Sequence, residues 1–198
     1  MAGTTTNMGI PYPTSTDLVK DGATAMQSLA EEVDTKSGMV LVKSQTVGTG
    51  VTSVTVSNCF SATFANYRIL MHGGTGTAAF LEVQLRLGAS AASYYSALVY
   101  GTFAGAAPAT AGNSNQAQFA YAGSIGTQES HVDVTLYGPN LTKYTGLVAP
   151  HVQFTSAGAA GIVTGYHSVR TAYTGFELRL PAGTMTGGII RVYGYNLG

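Results

Sequence analysis

Leu81-Glu82-Val83-Gln84-Leu85-Arg86-Leu87 alternates apolar and polar side chains at every step. In an extended chain successive side chains point to opposite faces, so Leu81, Val83, Leu85 and Leu87 share one face and Glu82, Gln84 and Arg86 the other. One face belongs to a core and the other to water. The same period recurs in His131-Val132-Asp133-Val134-Thr135-Leu136-Tyr137 and in Phe176-Glu177-Leu178-Arg179-Leu180. Further strands are predicted at 39–46, 51–57, 67–72, 94–100, 116–122, 147–155, 161–169 and 188–195. Clusters of Gly, Asn, Pro and Ser separate them, and helical periods are absent after residue 38. The pattern predicts a mainly β chain in which residues 38–198 form an antiparallel, jelly-roll-like β-sandwich. The stretch from Gly101 to Asn115 reads as an exposed loop. Gly73-Gly74-Thr75-Gly76-Thr77 lies between two strands with no helix N-terminus to supply amides, so it reads as a hairpin turn rather than a phosphate cradle.

Residues 1–37 differ in kind. The first sixteen carry Gly3, Gly9 and Pro11-Tyr12-Pro13, which favour an extended strap. A short helix follows, with capping residues at Ser15 to Asp17 and a second possible start at Asp21-Gly22. Val19, Met26, Leu29 and Val33 are spaced as a heptad-like seam, with Ala23 filling the gap. A helix this short is marginal in water and needs a partner for its apolar stripe. That partner is either another copy or another protein, or, alternatively, the chain's own sheet. Tyr12, Pro13, Val19, Ala23, Met26, Leu29 and Val33 are therefore the candidate docking and oligomerisation residues. The chain divides into a handle at 1–37 and a β domain at 38–198.

Composition narrows the chemistry. Only 9% of the 198 residues are charged, the net charge is zero, and Gly accounts for 26. The nine Lys and Arg are scattered singly, so phosphate neutralisation along a nucleic acid has little to work with. Eight charged residues lie before residue 44, which marks the handle as the more solvated part. No run of 18 apolar residues suggests membrane insertion, and the start lacks a signal-peptide pattern. Cys59 is the single cysteine, which excludes an intrachain disulfide and reads as a small buried hydrophobe.

Catalytic constellations are thin. Four histidines fall on different predicted strands, and only His131 and Asp133 share a face. Glu82 and Glu177 lie near Arg86 and Arg179, so cross-strand ion pairing explains them more simply than a pair of hydrolytic carboxylates. No enzyme, metal or cofactor is expected. Tyrosine is over-used, with twelve copies beside seven Phe and no Trp. Core or intersubunit packing is the leading account. Ligand contact is the other, with Tyr94, Tyr95, Tyr100, Asn113 and Asn115 as candidate surface contacts around the 101–115 loop.

The segment Tyr12-Pro13-Thr14-Ser15-Thr16-Asp17, running into a helix that ends Leu29-Ala30-Glu31-Glu32-Val33-Asp34, resembles a motif of bacteriophage virion proteins. Ile190-Arg191-Val192-Tyr193-Gly194-Tyr195 resembles the closing strand of phage β modules. The resemblance covers about thirty residues closely and the β region only in style. It implies a structural protein of the virion, made in the host cytoplasm. The expected form is a homo-oligomer, most simply a homotrimer, docked by its N-terminal segment to other capsid or tail proteins. Capsid decoration or a small head or tail appendage is expected. The alternative is a tail-fibre or tail-tip module for host adhesion that binds a surface glycan.

Overall fold

The computed structural model describes residues 3–4, 10–12, 14, 21–36, 38–105 and 107–195, without the side chains of residues 3, 11 and 34–36. Leu41–Tyr195 forms one compact unit, and the described residues before Leu41 belong to another.

In the first unit, β1 (Gly3–Thr4) pairs antiparallel with β2 (Pro11–Tyr12). Helix α1 (Gly22–Lys36) lies against β2. It begins at the second of the two starts read from the sequence; the earlier one, Ser15 to Asp17, lies outside the described residues, as do Pro13 and Val19. Gly22, Ala25, Ser28, Leu29 and Glu32 are half-buried and follow one helical face. Beside them on the seam, Met26 is 69% exposed and Val33 48%. Ala23 is exposed as well.

The second unit is antiparallel β. Its strands are β3 (Met39–Thr46, whose first two residues belong to the other unit), β4 (Ser53–Val56), β5 (Asn66–His72), β6 (Thr75–Gly76), β7 (Leu81–Leu87) and β8 (Tyr94–Thr102). They continue with β9 (Ala109–Gln116), β10 (Phe119–Ile125), β11 (Ser130–Tyr137), β12 (Thr145–Val152) and β13 (Ala159–His167). Three more close the chain: β14 (Phe176–Arg179), β15 (Met185–Thr186) and β16 (Ile189–Tyr195). The main ladder runs β4-β14-β7-β10-β11-β12-β13-β8-β9. Strand β11 is its junction. One flank of β11 pairs with β5 along Val132–Tyr137, while the other meets β10 at Ser130 and His131 and β12 from Thr135 onward. From β5 the ladder continues to β16, which pairs on its other side with β3.

The alternating strands bury the faces their sequences assign. Val83, Leu85 and Leu87 of β7 join Val132, Val134 and Leu136 of β11, Leu178 of β14 and Ile190 and Val192 of β16 in one apolar core. Each such side chain removed from water contributes about 1.5–3 kcal/mol, which is what fixes strand register. The C-terminal strand is an interior member of the ladder, with Tyr67 and Ile69 of β5 beside it. Cys59 is buried as expected; its thiol is pushed up to about 12 by burial and stays protonated, donating to the Val56 carbonyl at 3.5 Å.

Two expectations need correction. The 101–115 segment is not an open loop throughout: Ala109–Gln116 is strand β9, an edge strand on β8. Its sequence, Ala-Thr-Ala-Gly-Asn-Ser-Asn-Gln, has one β-branched residue, Thr110, and no aromatic to announce a strand, and the open edge of β8 supplies the pairing instead. Gly73 to Thr77 is not a simple hairpin either. Gly73 and Gly74 turn with positive φ, and then β6 pairs with β15. A Cβ on Gly74 would sit 2.3 Å from the Gly187 carbonyl oxygen, so this close backbone approach requires glycine.

Candidate functional site

The candidate residues divide sharply by location. Tyr94, expected at the surface, is fully buried. Its phase along β8 places it inward with Ser96 and Leu98, and its hydroxyl accepts from the Leu87 amide at 2.8 Å and donates to the Ser90 carbonyl at 3.1 Å. Burial, the leading cause, raises its phenol to about 12. Its ring stacks on His167 at 4.0 Å. His167 is also fully buried, and its hydrogen bonds fix its tautomer. Nδ1 lies 3.1 Å from the Ser93 carbonyl and must donate, so the single lone pair of Nε2 accepts from the Tyr173 hydroxyl at 2.7 Å, with the Ser90 hydroxyl beside it at 3.1 Å. Burial lowers its pKa, partly opposed by the bond to Ser93. This is a satisfied structural histidine.

Tyr95 faces the other way. It stacks on Tyr166 at 4.9 Å, Tyr166 on Tyr144 at 5.9 Å, and the Arg170 guanidinium lies 5.1 Å from the Tyr144 ring centre. The ring faces are thus largely occupied by one another, which makes this a cross-strand aromatic ladder capped by a cation. Asn113 is half-buried in β9. Asn115 takes a positive φ, and its side-chain oxygen accepts from the Ser93 amide at 3.2 Å, so it ties the end of the ladder where β8 begins and β9 finishes. Tyr100 turns inward.

The carboxylates of the β unit are engaged separately. Asp133 is bidentate on Arg68 at 2.6 and 2.8 Å, so it does not join His131, which instead lies edge-on to Phe154. Glu177 pairs with Arg86 at 2.5 Å, as their cross-strand register demands. Glu82 departs from the expected arginine pairing. One of its oxygens accepts from Gln84 and from the backbone amide of Tyr121, both at 3.1 Å. Among the described residues no group of three or more His, Cys, Asp or Glu could hold a metal ion.

The Glu82–Tyr121 contact leads to a site that the sequence reading missed. Between Phe119 and Gly123 strand β10 advances four residues while its partner β7 advances two, from Leu85 to Val83. Tyr121 sits in this bulge at φ 56°, a conformation that non-glycine residues rarely adopt, and its amide turns from the ladder to Glu82. The bulge sets the Tyr121 ring edge-on to His151 at 5.5 Å; Phe80 is edge-on to the same imidazole at 6.0 Å. His151 is fully buried, and neither ring nitrogen makes a well-aligned hydrogen bond; the Tyr121 backbone is the polar group that approaches the ring. Burial lowers its pKa, nearby His131 adds to that, and the Tyr121 backbone partly opposes it.

His151, Gly161 and Tyr100 lie opposite one another across β12, β13 and β8. Beside this row, the small residues Ala111, Ala157 and Ala159 leave a concavity of about 190 Å³ lined also by His151, Tyr100, Tyr121, Gln153 and Leu98. Gly161 is obligatory, since a Cβ there would lie 2.1 Å from the Val99 carbonyl oxygen. One signal in the sequence did point here. Leu147, Ala149 and His151 are in phase, so the alternation that buries the first two also buries the histidine.

No protein-family profile, characterised protein or solved structure matches this chain.

Proposed function

We propose that the protein is a bacteriophage structural protein, a homo-oligomer and most simply a trimer, attached to a capsid or tail through its N-terminal segment. The observation that carries this reading is the uncovered seam of α1. Met26 and Val33, seven residues apart on the same stripe, remain 69% and 48% exposed. A 15-residue helix gains little from propensity alone, and an exposed apolar stripe of this spacing is stabilised by helices that pack along it. Tyr12, exposed beside the helix unit, and the likeness of the leader to virion motifs agree with docking at this end. The β unit is read as a jelly-roll-like sandwich; the single apolar core shared by its strands supports this.

The test is the mass of the full chain by light scattering, followed by binding to particles that lack the protein. Met26→Glu with Val33→Glu is expected to convert an oligomer to a monomer and to abolish particle binding while leaving the β unit folded. A wild-type monomer that does not bind particles would reject the reading.

A further inference from the structure

We infer that the concavity at His151 is a binding site for an uncharged pyranose-sized sugar. Three features of the site point to a ligand rather than to core packing. First, His151 is completely buried at the wall of the space, and neither ring nitrogen makes a well-aligned hydrogen bond, the Tyr121 backbone being its one polar approach. Buried polar groups are nearly always hydrogen-bonded, and one left bare weakens the fold, so such a group marks a place where something else supplies the bond. Second, the backbone is strained at the same spot: Tyr121 holds a left-handed conformation inside a bulge, and Glu82 secures its displaced amide. Local strain of this kind collects at ligand sites. Third, the concavity is built by small residues, Ala111, Ala157 and Ala159, between large ones, so its shape follows from the register of β12, β13, β8 and β9.

The lining selects the ligand class. It holds no Asp, Glu, Lys or Arg, so a charged ligand would lose its hydration without an opposite charge in return. A neutral imidazole, two phenols and the Gln153 amide both donate and accept, which suits hydroxyl groups. The Tyr100 and Tyr121 rings provide apolar surface for the C–H face of a sugar. A volume near 190 Å³ would hold about six waters or one hexopyranose ring. The inference goes beyond the assembly proposal and is independent of it, because it concerns the β unit and is read without reference to oligomer mass.

The experiment is an NMR titration of the full chain with methyl glycosides of glucose, galactose, mannose and N-acetylglucosamine, and with glucuronate. The histidine ring signals are followed. At least one neutral glycoside is expected to shift the His151 ring signals saturably, with a dissociation constant on the order of 1 mM, and to leave His167 unmoved. In His151→Phe, with binding followed instead by the backbone amide signals of Tyr121 and Gln153, the affinity should weaken about tenfold or more. Ala159→Leu, which fills the cavity, should abolish binding; unchanged His167 signals would show that the variant is folded. The assignment is overturned if none of the four glycosides moves His151, if binding survives both substitutions, or if glucuronate binds as tightly as the neutral sugars.

Discussion

The β12–β13 hairpin carries a buried histidine at each end. His167, opposite Thr145 in the ladder, has a carbonyl on one nitrogen, two hydroxyls on the other and a tyrosine stacked on its face. His151, opposite Gly161, is as deeply buried but is held by two ring edges and a loose approach of the Tyr121 backbone. The two are indistinguishable by burial and nearly so by sequence context. Their partners distinguish them, which is why hydrogen-bond accounting, rather than depth, identifies a site in a molecule without a ligand.

The largest effects are expected at the His167 end. Tyr94→Ala removes a ring that packs on both His167 and Phe119, and should cost about 3–5 kcal/mol in denaturant unfolding, enough to threaten folding. His167→Leu keeps the volume but leaves the Ser93 carbonyl and the Tyr173 hydroxyl without their present partner, a loss of about 2 kcal/mol. An unchanged unfolding midpoint in His167→Leu would remove the claim that this end is structural. At the other end the sign reverses. His151→Phe replaces an unpartnered polar ring with an apolar one among aromatic neighbours, and should leave stability unchanged or raise it by about 1 kcal/mol. A loss of 2 kcal/mol or more there would show that His151 is satisfied in solution by protein groups, and the contrast would collapse.

The same contrast explains what could be read from the sequence. Leu81–Leu87 was predicted to the residue, because strict alternation with one apolar face leaves a single register that buries it. The Arg86–Glu177 pair followed from residue type and face. Strand β9 did not, since Ala109–Gln116 carries no periodic apolar signal and is a strand only by virtue of the β8 edge beside it. Tyr94 reads as a surface candidate from its place near the 101–115 segment, but it shares the two-residue phase of Ser96 and Leu98 along β8, and that phase is buried. For His151 phase gave depth alone. The bare nitrogens depend on the Tyr121 bulge, and no local sequence rule predicts a non-glycine residue at φ 56°.

Acid sharpens the comparison with the smallest effect. Burial lowers the pKa of both histidines from 6.5, so the unfolded chain binds their protons at a higher pH than the folded chain does. Stability therefore rises with pH across this range and falls on acidification, beginning near the unfolded value and continuing down to the folded one. The slope is at most about 1.4 kcal/mol per pH unit for each histidine. Two buried histidines thus make the protein weaker at about pH 5.5 than at about pH 7.5 in denaturant titrations. His151→Phe should remove one share of that slope. A ligand seated on the neutral imidazole should deepen the acid sensitivity of the wild type, since protonation would then also cost the bound state an acceptor. The His167 share should be untouched by any sugar, because its nitrogens are already engaged by Ser93, Tyr173 and Ser90. If acidification stabilised the protein, or if His151→Phe left the slope unaltered, His151 would be exposed to solvent or charge-paired in solution. The two ends of the hairpin would then differ in dynamics rather than in partners.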